Sequence, residues 1–341
     1  MARRDGGGWA LRRGCTVGFM LAVSATAFDA ADPLAGLTVG EVRNPSPPDG
    51  WSRVRVKAAA LNQHDLWSLR GIGLRADELP RILGCDAAGL DENGNEVVVH
   101  GVIGDPDAGR GDETKDPNRS LLSERFDGAL AEFVLVPARN LVPKPAELSF
   151  EEAACLPTAW LTAYRMLFTN SATRPGDTVL VQGAGGGVST ALIALAKAAG
   201  RRVWVTSRSL DRGGLALKAG ADAAYESGGR LPERVDAVFD SVGAATWAHS
   251  LRCVRPGGTI VTCGATSGDA PSAELSRVFF QQLRVIGSTM GTRQELVELL
   301  NFLMVTGVRP TIDRVLPLSE AHDGFAAMLA GDMFGKVVFT V

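Results

Sequence analysis

Four glycines, Gly183, Gly185, Gly186 and Gly187, lie between an apolar run at Thr178 to Gln182 and an alanine-rich run closed by Gly200. Glycine at such a point lets the backbone approach a pyrophosphate closely, and the free N–H groups at a helix start receive its negative charge. Glycines punctuate turns in every protein, so the cluster alone says little. Its setting says more: a strand before it, a helix after it, and a second strand at Arg202 to Thr206, about 20 residues on. Ser189 stands where a third glycine is often found, a variant of the pattern. The stretch Asp177 to Arg208 therefore predicts a dinucleotide site, with Gly183, Gly186, Gly187 and Val188 against the pyrophosphate.

The end of the second strand points to which dinucleotide. An acid there would accept hydrogen bonds from the ribose hydroxyls of NAD and repel the additional phosphate of NADP. This chain has Thr206, Ser207, Arg208 and Ser209, with Arg212 close behind. Guanidinium groups donate to phosphate in pairs. Ser207, Arg208 and Arg212 are the expected 2′-phosphate site, and the expected cofactor is NADP(H). The competing reading makes the two arginines ordinary solvated charges.

The elements that must position these residues follow from the pattern of apolar residues. After the opening unit, helices and strands alternate: a helix at 211–219, strands at 221–226 and 235–240, a helix at 246–254, then strands at 259–263 and 284–288. Six strands with crossovers predict a doubly wound parallel sheet, an α/β domain. Residues 294–305 read as an amphipathic helix. Ahead of this unit the runs at 21–27, 52–60, 96–103 and 130–137 alternate as half-buried strands do, predicting a mainly β body. Residues 67–79 and 104–128 read as loops, the second long and exposed. Residues 148–168 have helical spacing with Ser149 as cap, interrupted at Pro157.

Composition narrows the function classes. A chain of 341 residues suits two domains, and 45% hydrophobic with 21% charged residues are globular values. The net charge of −3 offers no electrostatic case for nucleic acid. The five cysteines are scattered without a CxxC pair, which fits a reducing, cytoplasmic setting better than a disulfide framework. No apolar run is long enough to span a membrane. Residues 1–19 carry arginines and an apolar run that resembles a secretory signal; the preferred expectation is an extension ahead of Met20.

The chain resembles the medium-chain dehydrogenase/reductase superfamily, in its zinc-independent, quinone-oxidoreductase-like branch. The resemblance runs through AAALNQHDLWSLRG, LGCDAAG, LAEFVLVPARNLVPKP, LPTAWLTAYRML, VQGAGGGVS, FDSVG, GSTMGT and DMFGKVV, in that order. It implies a GroES-like catalytic domain (residues 20–148 and 292–341), a Rossmann domain (149–291), and a cleft between them for the nicotinamide. It adds cofactor contacts from Thr162, from the turn carrying Ser241 and Gly243, from Gly264, Ala265 and Thr266, and from Lys336. It also suggests a homodimer joined through the exposed strand at 284–288.

Zinc members of the superfamily bind the metal at places where this chain has Asn62, Cys85 and Thr158. One thiolate does not hold a tetrahedral zinc, so no metal is expected. A site improvised from His64, Cys85 and Asp86 is the alternative. Quinone reductases of this kind often carry a tyrosine where Gln63 stands. Without a metal, a conjugated enone or quinone is the easier small-molecule electrophile, because it spreads the developing charge itself. Asn62, Gln63, His64 and Asp65, expected on one loop, are the candidates for stabilising and protonating the product, with His64 the best acid. Two rivals stay open: a zinc-type alcohol dehydrogenase with atypical ligands, and a non-catalytic NADPH-binding protein.

Overall fold

A computed structural model describes residues 18–341. The expectation for residues 1–19 falls mostly outside that range. Within it, the first strand, Phe19–Ala25, already includes Phe19, and it buries Met20. It pairs antiparallel with Leu37–Arg43.

The Trp51–Ala60 strand is the spine of the β body. It pairs antiparallel with Asp86–Leu90, with Phe133–Pro137 and with the C-terminal strand Lys336–Thr340, which pairs in turn with Ile312–Pro317. The last strand thus returns to the first sheet and carries Lys336 to the base of the second. In the Rossmann part, six parallel strands run in the order Ala223–Glu226, Arg202–Ser207, Thr178–Gln182, Val235–Asp240, Val254–Thr262, Arg284–Gly287. The order reverses beside Thr178–Gln182, where open parallel sheets bind ligands. This strand is buried at every residue because helices cover both faces, which is why its apolar run barely alternates.

Three expectations about local structure are corrected. Residues 62–65 are not a loop: Asn62 caps a helix over Gln63–Leu69, and this helix also absorbs the first residues of the expected 67–79 loop. At the hinge, Ser149 and Glu152 cap Phe150–Ala154 reciprocally. Beyond Cys155 the chain does not break at Pro157 but continues with π-helical geometry over Leu156–Trp160 and Arg165–Asn170. The wider turn over Leu156–Trp160 accommodates the Pro157 ring, which lacks an N–H.

Residues 104–128 are not an exposed loop either. A short pairing of Val102–Ile103 with Ser120–Leu121 closes the segment, and Thr114, Leu122 and Ser123 are buried. The Arg165 guanidinium of the hinge helix holds it, contacting Asp112, Thr114 and, at 3.2 Å, Glu295. Burial by itself raises the pKa of Asp112. Hydrogen bonds from Arg165 and Thr114 more than offset this and hold the carboxyl well below its ordinary range.

Candidate active site

A cavity of about 330 Å³ lies between the two sheets. One wall is the glycine turn. Gly183 and Gly185 adopt φ of +78° and +118°, a region that strains any residue with a Cβ. Gly183 donates its N–H to Thr206 Oγ1 at 3.1 Å, and Gly186 caps the Gly187–Ala198 helix. A methyl group on Gly187 would stand 2.9 Å from Lys336 Cδ. The backbone is thus open toward the cavity, a cradle of the size and polarity a dinucleotide phosphate needs.

The facing wall comes from the β body. Asn62 Nδ2 donates to Asp86 Oδ2 at 2.8 Å. Lys336 Nζ donates to Leu61 O (2.8 Å), Asn62 Oδ1 (2.6 Å) and Asp86 Oδ2 (3.0 Å). All three ammonium protons are spent on protein acceptors in a residue that is 1% exposed. Gly335 N–H reaches across to Gly185 O at 2.8 Å, so the same tail segment pins the glycine turn. Arg212 bridges the cleft mouth by donating to Gly331 O.

The cavity brings together most of the residues singled out from sequence: Asn62, Gln63, Gly183, Gly186, Gly187, Val188, Arg212, Ser241, Gly264, Thr266 and Lys336. Gly243 and Ala265 line an adjoining cavity that shares Gly264. Others are not brought to it. Thr162 is buried in the hinge helix. Ser207 is engaged with Ser209, its hydroxyl donating to Ser209 O at 2.8 Å, and Arg208 lies outside the lining.

His64 does not face the cleft. Its Nε2 lies 3.9 Å from Glu124 and makes no hydrogen bond. Asp65 is fully buried and closes its own helix, accepting from Asn62 N and Gly84 N, both at 2.9 Å. Burial pushes its carboxyl above the ordinary range, against the opposing effects of His64 and the two N–H donors. Neither residue is in position to protonate a substrate. Sequence reading missed Trp67, Met328 and Met333 in the lining. Trp67 had a signal: it stands four residues after Gln63, hence on the same helix face.

The donor set does not fit a metal. Cys85 is buried with its thiol on Leu122 O at 3.1 Å, and burial, then the charge of Asp65, pushes that thiol far above the thiolate range. Asn62 is committed to Asp86 and Lys336. Among the described residues no group of three or more His, Cys, Asp or Glu could hold an ion.

Two family descriptions match the chain: an alcohol dehydrogenase GroES-like domain over residues 48–146 and a zinc-binding dehydrogenase domain over 187–304. A solved structure titled as an NAD-dependent alcohol dehydrogenase is 35% identical and superposes with a TM-score of 0.85, covering 94% of this chain and all of that one. The chain belongs to the medium-chain dehydrogenase/reductase superfamily. Within that superfamily it is 29% identical to an acryloyl-coenzyme A reductase from Metallosphaera sedula, over 89% of this chain and 96% of the relative. It is also 26% identical, with a TM-score of 0.86, to a 2-octenoyl-CoA carboxylase reductase solved with NADP and 2-octenoyl-CoA; 94% of this chain and 87% of that one are covered.

Proposed function

We propose that this superfamily member is an NADPH-dependent reductase of activated double bonds that works without zinc. The observation that carries this reading is the cleft itself: an open phosphate cradle with Arg212 beside it, facing a wall whose polar groups cannot assemble a Lewis acid. NADPH, when bound, supplies the hydride. The chain's own part is to hold the nucleotide by Gly183 to Val188 and Arg212, to seat the substrate against Gln63, Trp67 and Met328, and to keep the cleft narrow through Gly335 and Lys336. A conjugated carbonyl needs little further polarisation, and the Gln63 amide is the side chain free to hydrogen-bond its oxygen. Lys336 is saturated, and the Cys263 thiol is pushed up to about 12 by burial. The product's proton therefore comes from water. The reductases of acryloyl- and octenoyl-CoA among the relatives favour an enoyl substrate over a quinone.

The 35% identity to an NAD-dependent alcohol dehydrogenase favours a second reading, alcohol oxidation. Oxidation of reduced nicotinamide against an enoyl-CoA and enone panel, with NADPH and NADH, with and without a chelator, separates the two. Turnover within about twofold of the untreated rate after chelation, with NADPH preferred, supports the reductase. Loss of activity restored by zinc sinks it. A homodimer belongs to the same proposal: Val285 is exposed on the Arg284–Gly287 strand, which ends its sheet, and Leu275, Phe279 and Phe280 are exposed on the Leu275–Phe280 helix just ahead of it. A monomeric mass by light scattering would remove that part.

A further inference from the structure

Beneath the glycine turn lies a buried polar chain that the proposed reaction does not use. Gln182 ends the first Rossmann strand, Thr206 lies near the end of the second, Asp240 ends the fourth, and His249 and Ser250 rise from the Ala244–Cys253 helix. Each is at most 4% exposed, and His249 is not in the cavity lining. Two groups that only accept, Gly229 O and the Asp240 carboxylate, decide the directions of the bonds between them. His249 Nε2 lies 2.7 Å from Gly229 O. A carbonyl only accepts, so Nε2 carries the proton and Nδ1 is an acceptor. The atom facing Nδ1 at 2.9 Å must then be the amide nitrogen of Gln182, whose second proton goes to Ser250 Oγ at 3.0 Å.

With its nitrogen so committed, Gln182 turns Oε1 to the Thr206 hydroxyl, which donates to it at 2.7 Å. The Thr206 proton is spent there, and its oxygen is left to accept the Gly183 N–H. The other branch runs from Ser250 Oγ to Asp240 Oδ2 at 2.7 Å. Asp240 Oδ1 in turn receives the Val242 and Gly243 N–H groups at 2.9 and 3.1 Å. The Gln182 amide is therefore oriented from two sides, by His249 Nδ1 and by Ser250 Oγ, whose own proton goes to Asp240. The charged residues of the neighbouring segment, Glu226, Arg230, Glu233 and Arg234, are exposed, and the Cys253 thiol lies 3.1 Å from Nε2.

We infer that His249 is a positioning residue for the nucleotide: together with Ser250 it holds the Gln182 amide, and through Gln182 and Thr206 it steadies the Gly183 turn. This rests on the reading of the glycine turn as the nucleotide site. His249→Leu removes one of the two acceptors that hold the Gln182 amide, whereas His249→Asn restores an acceptor near the Nδ1 position. The dissociation constant for NADPH, read by fluorescence quenching, should rise about tenfold in His249→Leu and stay within about threefold of wild type in His249→Asn. Turnover at saturating NADPH should change by less than about twofold in both. Wild-type affinity in His249→Leu, or equal weakening in both variants, overturns the inference. Should His249→Leu not fold, Thr206→Val interrupts the same chain at the turn, and unchanged NADPH affinity there overturns it equally. A wild-type protein that binds neither NADPH nor NADH fails the nucleotide reading itself, and this inference with it.

Discussion

The two walls of the cleft handle polar groups in opposite ways. On the Rossmann side, Gly183 to Gly187 present backbone and almost no side chain, held open by positive φ and by Thr206 behind. On the β side, Asn62, Asp86 and Lys336 satisfy one another behind the cavity surface, leaving only Asp86 Oδ1 without a partner. The first wall needs an outside anion to complete its hydrogen bonding; the second has already found its partners. On the proposed reading, such a cleft holds its nucleotide by backbone and leaves much of the substrate's activation to the substrate.

The comparison breaks most visibly at Lys336. If its ammonium serves Asp86 and not a ligand, Lys336→Met leaves a buried uncompensated carboxylate. That should cost about 3–5 kcal/mol in urea unfolding. A variant of unchanged stability with weakened NADPH binding would make Lys336 a ligand contact and erase the distinction between the walls. On the Rossmann side, Arg212→Glu should weaken NADPH binding by about tenfold or more and NADH by less than about twofold. Equal losses would assign Arg212 to its bridge with Gly331 alone. Gly185→Ala, forced into φ of +118°, should raise the dissociation constants of both nucleotides by about tenfold while leaving most of the stability intact.

The smallest effect concerns what steadies the β wall. Arg165 holds the Asp112 carboxyl below its unfolded value, so the stabilisation is fully present above about pH 4 and is lost only as pH falls through the lowered folded value. In Arg165→Met, the Asp112 carboxyl loses its largest downward influence, keeps the Thr114 and Lys115 hydrogen bonds, and titrates higher than in the wild type. The unfolded-state value sets where both midpoints begin to fall, so below about pH 4 the wild type's should fall further than the variant's, the gap between them closing in strong acid. Parallel midpoints across the whole range would show that the pair does not anchor the 104–128 segment.

Much of the fold was legible because its signals are local. The strand, glycine turn and helix at 177–208 follow from burial on both faces and from φ values that glycine adopts freely. Crossovers of ordinary length then leave few topologies beyond the one observed. The β side was harder to read. QHD looks like a run of catalytic candidates, yet Asp65 is consumed by its own helix cap and Gly84, and His64 turns toward Glu124. Charged residues in 104–128 look solvated until Arg165 arrives from the hinge helix.

The sequence alone determined the glycine-turn unit and the parallel sheet, because residue types and short spacings are enough for each; the expectation of no zinc at Asn62, Cys85 and Thr158 came from the resemblance. Only the tertiary structure decided that Lys336, 275 positions from Leu61, would bury its charge between Asn62 and Asp86. It likewise decided that His249 and Ser250 would together hold the Gln182 amide beneath the glycine turn. Such pairings depend on which side chains meet after the chain has closed its long loops. A buried polar group is satisfied by whichever partner the packing brings within about 3 Å, and local sequence carries no record of that partner.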